Sequence, residues 1–106
     1  DNFNPVLEVT LTGPKVAGCT TGSGGSEITQ NLTANLKNGA GGFYTMPLSG
    51  FTVKGLCGTD TGAANVLAKV ARVVVTVPGS SFNYTNIVDG NYTTGVNLGP
   101  VGFTNR

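Results

Sequence analysis

Apolar and polar residues alternate strictly over residues 7–12, Leu-Glu-Val-Thr-Leu-Thr. That two-residue period predicts a β-strand with Leu7, Val9 and Leu11 turned to a core and Glu8 turned to solvent. Gly13-Pro14 ends it, and residues 15–20 are expected to return as a short segment. The run Gly-Ser-Gly-Gly-Ser at 22–26 reads as a flexible loop.

Residues 27–37 fit two templates. Ile28, Leu32 and Leu36 recur every four residues, a helical spacing, but the intervening Thr29, Asn31, Thr33 and Asn35 are poor helix formers. A strand with one face of Ile28, Gln30, Leu32, Ala34 and Leu36 is the favoured reading. Asn38-Gly39 is a turn signal, and Gly41-Gly42 extends that loop up to Phe43, Tyr44, Thr45 and Met46. Residues 48–57 read as a further strand with Phe51 and Val53 on one face. After a loop at 59–62, residues 63–69 suit a helical turn and the Val-rich residues 70–77 a strand, stopped by Pro78-Gly79. Two arms, 82–88 and 91–98, flank Asp89-Gly90 and predict a hairpin with a type I′ turn. Gly99-Pro100 then leads into a short tail.

Short strands with turn residues every 8–12 positions predict a single all-β domain over residues 1–106. The expected form is a small antiparallel sheet or sandwich-like fold with one disulfide and room for one short helix. A chain of 106 residues buries enough surface for a core of Val, Leu, Ile, Phe and Tyr.

Charge narrows the functional classes. Only 10% of the residues are charged and the net charge is +1, against roughly 25% charged in an average soluble domain. Nucleic-acid binding, which needs clustered Lys and Arg, is not expected. No apolar run approaches the ~20 residues of a bilayer span, so no direct membrane span is expected. The opening Asp1-Asn2-Phe3 reads as the start left by cleavage of a leader.

Two cysteines, Cys19 and Cys57, each sit among Gly and Thr in turn-like surroundings. Their spacing is unlike paired zinc or redox motifs, and the sequence holds no His for a Cys/His metal site. Two buried free thiols are one reading. A disulfide is the favoured one, because the low charge and the leader-like start point outside the cytoplasm. It would close a loop of 39 residues, worth about 4 kcal/mol in the chain-entropy account.

Catalysis finds little to work with. Without His, Ser-His-Asp and Cys-His machinery is excluded. Asp60 and Asp89 read as turn formers bonded to their own backbone, and neither Gly-rich stretch has the strand–loop–helix setting of a phosphate loop. The chain is read as a non-enzyme with no cofactor. Three Asn-x-Thr sequons, at Asn31, Asn83 and Asn91, are what a Thr- and Asn-rich strand protein produces by chance. Tyr44, Tyr84 and Tyr92 are left as candidates for an interface or for stacking on sugars.

The start Asp1-Asn2-Phe3-Asn4-Pro5, the strand at 6–12 with Gly13-Pro14, and the Gly/Thr/Asn-rich remainder resemble the globular chain of a split type IV pilin, the geopilin domain. In such a pair a short pilin carries the hydrophobic N-terminal helix and a separate secreted chain supplies a β-rich head. The resemblance implies a structural subunit of a cell-surface pilus. Its partners would be a short hydrophobic helical pilin and further copies of itself. The interface candidates are then Phe3, Leu7, Tyr44, Tyr84 and Tyr92. Two other readings are a donor-strand fimbrial subunit, in which residues 1–12 complete a neighbour's sheet, and a secreted sugar-binding module.

Overall fold

The computed structural model describes residues 2–3, 5–34, 36–37, 42–77 and 99–104. Among the described residues, six strands, a 3-10 turn and one short helix follow in chain order. They are β1 (Asn2–Phe3), β2 (Val6–Thr12), β3 (Glu27–Thr33), β4 (Leu36–Lys37), the 3-10 turn Leu48–Gly50, β5 (Thr52–Gly55), α1 (Ala63–Leu67) and β6 (Arg72–Thr76). The main sheet is antiparallel, in the order β5-β3-β2-β6. The chain is thus a small all-β domain with one helix and one disulfide, as its pattern predicts.

The strict alternation in β2 sets the sheet. Leu7, Val9 and Leu11 are buried on one face, where they stand opposite Leu32, Gln30 and Ile28 of β3. On the other edge of β2, Val9 and Leu11 pair with Val75 and Val73 of β6. Ile28 and Val66 of α1 are fully buried and complete this core with Phe51. Complete burial of an Ile or Val is worth about 1.5–3 kcal/mol each, so this small cluster supplies much of the packing energy. The second template for residues 27–37 also resolves to strand. Beyond Thr33 the ladder continues, with Ala34 N–H donating to Pro5 O at 2.9 Å and β1 pairing with β4.

Helix α1 is five residues long, too short to stand on propensity alone. Asn65 holds its start, accepting at Oδ1 from the backbone N–H groups of Thr61 (2.9 Å) and Gly62 (3.1 Å). Val66 then pins it to the sheet. The chain re-enters the ladder when Ala71 N–H donates to Thr12 O at 2.7 Å.

Three expectations are corrected. Residues 15–20 do not return along β2. The return strand is β3, and the connecting loop is stitched by Gly13 N–H to Ser26 O (2.9 Å) and Val16 N–H to Gly24 O (2.8 Å). The 22–26 run is therefore a bonded loop, with Gly25 and Ser26 buried. Residues 48–57 are not one strand, because Leu48–Gly50 turns as a 3-10 segment and only Thr52–Gly55 pairs. Phe51 enters the core while Val53, on the sheet's edge strand, is 48% exposed. The predicted hairpin at Asp89-Gly90 lies outside the described residues.

The disulfide joins Cys19 in the β2–β3 loop to Cys57, two residues past β5, across a Cα–Cα distance of 5.5 Å. It closes the end of the sheet at which the β2–β3 loop lies. Gly25 lets that loop come close: a Cβ there would stand 2.5 Å from the Pro14 carbonyl oxygen and 2.6 Å from that of Gly13. Gly58 takes φ +60° in the turn after Cys57, a region that disfavours side chains.

Two stability predictions follow from this geometry. Reduction, or a Cys19→Ser/Cys57→Ser double variant, is expected to lower the unfolding free energy by about 4 kcal/mol, read as a lower urea midpoint. An unchanged midpoint would show that the bond adds nothing. Gly25→Ala is expected to cost about 1–3 kcal/mol by overpacking against backbone that cannot move aside, and a variant that melts with the wild type would refute that close approach.

Candidate functional site

Three features outside the core bear on function. The first is a polar clamp beside the disulfide. Ser26 Oγ, fully buried, accepts from Cys57 N–H at 2.9 Å and donates to Asp60 Oδ2 at 2.5 Å. Asp60 Oδ1 in turn accepts from Lys69 Nζ. The Asp60 side chain is only 4% exposed, whereas that of Lys69 is largely open to water. Asp60 therefore bonds residues distant in sequence rather than its own backbone, which corrects its reading as a plain turn former. The Lys69 and Ser26 hydrogen bonds hold its carboxyl below the usual carboxylate range, against the opposing effect of burial. The clamp joins the β2–β3 loop, the turn after Cys57 and the end of α1.

The second feature is an apolar groove of about 370 Å³ lined by Leu48, Leu67, Val70 and Phe103. It lies beside α1 and the 3-10 turn. Leu48 is 45% exposed and Phe103 60% exposed. Phe43, at 95%, is the most exposed large apolar side chain among the described residues. The third feature is the polar face of the sheet, opposite the core, where Glu8 and Lys54 form an ion pair at 3.3 Å.

The residues singled out in the sequence fall in different places. Cys19 and Cys57 are bonded. Leu7 is 7% exposed on the core face, which corrects its choice as an interface residue: its place in the alternation already turns it inward. Phe3 pairs through its backbone with Leu36 in the β1–β4 ladder. Tyr44 is exposed in the segment before the 3-10 turn. Tyr84 and Tyr92 lie outside the described residues, as do the sequons at Asn83 and Asn91; Asn31 is exposed in β3. Sequence reasoning missed Ser26, whose partners Cys57 and Asp60 are more than 30 residues away, and also Lys69 and the groove residues. Among the described residues there is no grouping of three or more His, Cys, Asp or Glu able to hold a metal ion. No described helix is long and apolar enough to cross a membrane.

Comparison of the chain with protein-family models, with curated proteins and with solved structures returns no match.

The clamp makes stability depend on pH with a defined sign. A carboxyl held below its unfolded-state pKa contributes stability that is complete above that value and is lost as pH falls through the folded-state pKa. Wild-type protein is therefore expected to lose stability below about pH 4. Asp60→Asn should be less stable at pH 7 and lose less between pH 5 and pH 2, measured by thermal melts across that range. Parallel pH profiles for the two proteins would rule the clamp out as the cause.

Proposed function

We propose that this chain is a structural head-domain subunit of an extracellular, type IV pilus-like filament, docking onto a short chain that carries an apolar helix. The observation that carries this reading is the apolar groove of Leu48, Leu67, Val70 and Phe103. No charged residue lines it, and Leu48 and Phe103 stand open beside it. Exposed apolar surface on a small domain is costly in water and marks surfaces that are covered in an assembly. A groove lined on one side by a helix and on the other by a turn suits the apolar stripe of a second helix. The resemblance of the N-terminal segment to the globular chain of a split pilin supplies the partner's character. A disulfide-closed sheet fits an oxidising location outside the cytoplasm.

The donor-strand alternative asks residues 1–12 to leave their own domain for a neighbour's. Val6–Thr12 is instead hydrogen-bonded on both edges and carries three core side chains. Removing it would take the core with it, which weighs against that alternative.

Co-purification of filaments with a short helical pilin, together with a Leu48→Asp/Phe103→Asp variant, tests the proposal. The variant is expected to fold, because both positions are exposed, yet to be missing from filaments. Filaments that incorporate the folded variant at wild-type levels, or that consist of this chain alone, would sink the reading.

A further inference from the structure

The side chains that line the apolar groove differ in how they are held. Leu67, the last residue of α1, and Val70 just beyond it pack against the buried core. Leu48 opens the 3-10 turn, which is closed by Gly50 N–H donating to Pro47 O at 3.0 Å and Phe51 N–H to Leu48 O at 3.3 Å. Phe51 in turn belongs to the core, so these three side chains stand on a fixed frame. Phe103 completes the lining, and it belongs to residues 99–104.

That segment has no such frame. It forms neither helix nor strand, and every residue in it is exposed. Among the described residues, no hydrogen bond or ion pair ties it to the rest of the chain. A Cβ added at Gly99 or at Gly102 would meet nothing within 4 Å, so neither glycine is hemmed in. Two unhindered glycines let a short segment pivot. The segment nevertheless carries two large apolar side chains, Val101 at 53% and Phe103 at 60% exposed, and brings the second to the groove. A stretch with few buried contacts and an unbonded backbone belongs to the least stable part of a fold, from which closing elements are drawn.

We infer that residues 99–104 are a strap that closes over the apolar helix docked in this groove, with Phe103 as its anchor. The inference rests on the docking reading above and adds the element that retains the helix. In the free subunit Phe103 keeps most of its ring in water. A helix lying against Leu48, Leu67 and Val70 offers that ring a second apolar surface, and closure removes the exposed area of Phe103 and Val101 from water. Moving the strap breaks no hydrogen bond of the sheet. The cost of closure is the ordering of a few backbone residues, which the apolar burial offsets. Its effect falls on release of the helix more than on encounter.

Titration of the full chain, labelled at methyl and amide groups, with a synthetic amphipathic peptide tests docking and strap separately. The peptide has about 20 residues, long enough to form a helix, with leucines at i, i+3, i+4 and i+7 spacing. Methyl shifts of Leu48, Leu67 and Val70 report docking. Amide order parameters of Val101, Gly102, Phe103 and Thr104 report the strap. Saturable methyl shifts are expected, with the order parameters rising from below about 0.6 towards about 0.85. Phe103→Ser, at an exposed position, is expected to fold and to release the peptide at least about fivefold faster, with association nearly unchanged. Strap amides that stay mobile in the saturated protein, or equal or tighter binding by folded Phe103→Ser, would overturn the strap and leave docking standing. Groove methyl signals that the peptide does not move would overturn the docking reading and the strap with it.

Discussion

Strand β2 is hydrogen-bonded on both of its edges, and that is the constraint from which the rest of the molecule follows. Its seven residues pair with β3, and five of them pair again with β6. A slip of one residue would turn Leu7, Val9 and Leu11 onto the polar face and send Glu8, Thr10 and Thr12 into the core. Three exposed apolar side chains would forfeit about 1.5–3 kcal/mol each, and the buried hydroxyls would add an unpaired-polar cost of about 1–3 kcal/mol each. Against a total stability of about 5–15 kcal/mol, no such register survives. The inner strand therefore defines which face packs against α1 and which is the polar one.

The end of the sheet needs a different device. The β2–β3 connection holds Gly13, Gly18, Gly22, Gly24 and Gly25, each with a large conformational entropy to lose on ordering. Little apolar surface there offsets that loss. The Cys19–Cys57 bond removes part of it from the unfolded chain, and the Ser26–Asp60–Lys69 clamp orients the same segments from inside. The two act at the same place: Ser26 bonds the backbone N–H of Cys57 itself. The covalent tie limits separation, while the hydrogen bonds set direction.

How much of this was legible in the sequence depends on the range of the interaction. Strand β2 was legible because alternation is a local property. Residues 27–37 were ambiguous for an arithmetic reason: a four-residue recurrence of apolar side chains is also a two-residue one, and only the Thr and Asn between them favoured the strand. The 3-10 turn at Leu48–Gly50 was not legible, since it is set against the Gln30 side chain of another strand, which leaves no room for a Cβ at Gly50. Gln30 has a buried amide oxygen with no hydrogen-bond partner among the described residues, a cost that no local pattern announces. Leu7 was misjudged although its own alternation placed it inside. The polar face brings together residues of β2, β3, β5, β6 and the β2–β3 loop, so only the strand order assembles it.

That strand order also keeps the core face and the polar face apart. Side chains of successive strand residues point to opposite faces, so the core face and the polar face share a backbone but no side chains. A substitution on one face reaches the other only through register. Helix α1 covers the centre of the core face, where Val66 meets Leu11 and Ile28. It stops short of the margin, where Leu48, Val53 and Phe103 remain open. A longer helix would close that margin. Its five residues instead leave apolar surface at the rim, while the threonines of the opposite face lie beneath a charged and hydroxylated one. An antiparallel sheet with one partly covered face thus keeps its apolar and polar surfaces on opposite sides of one backbone.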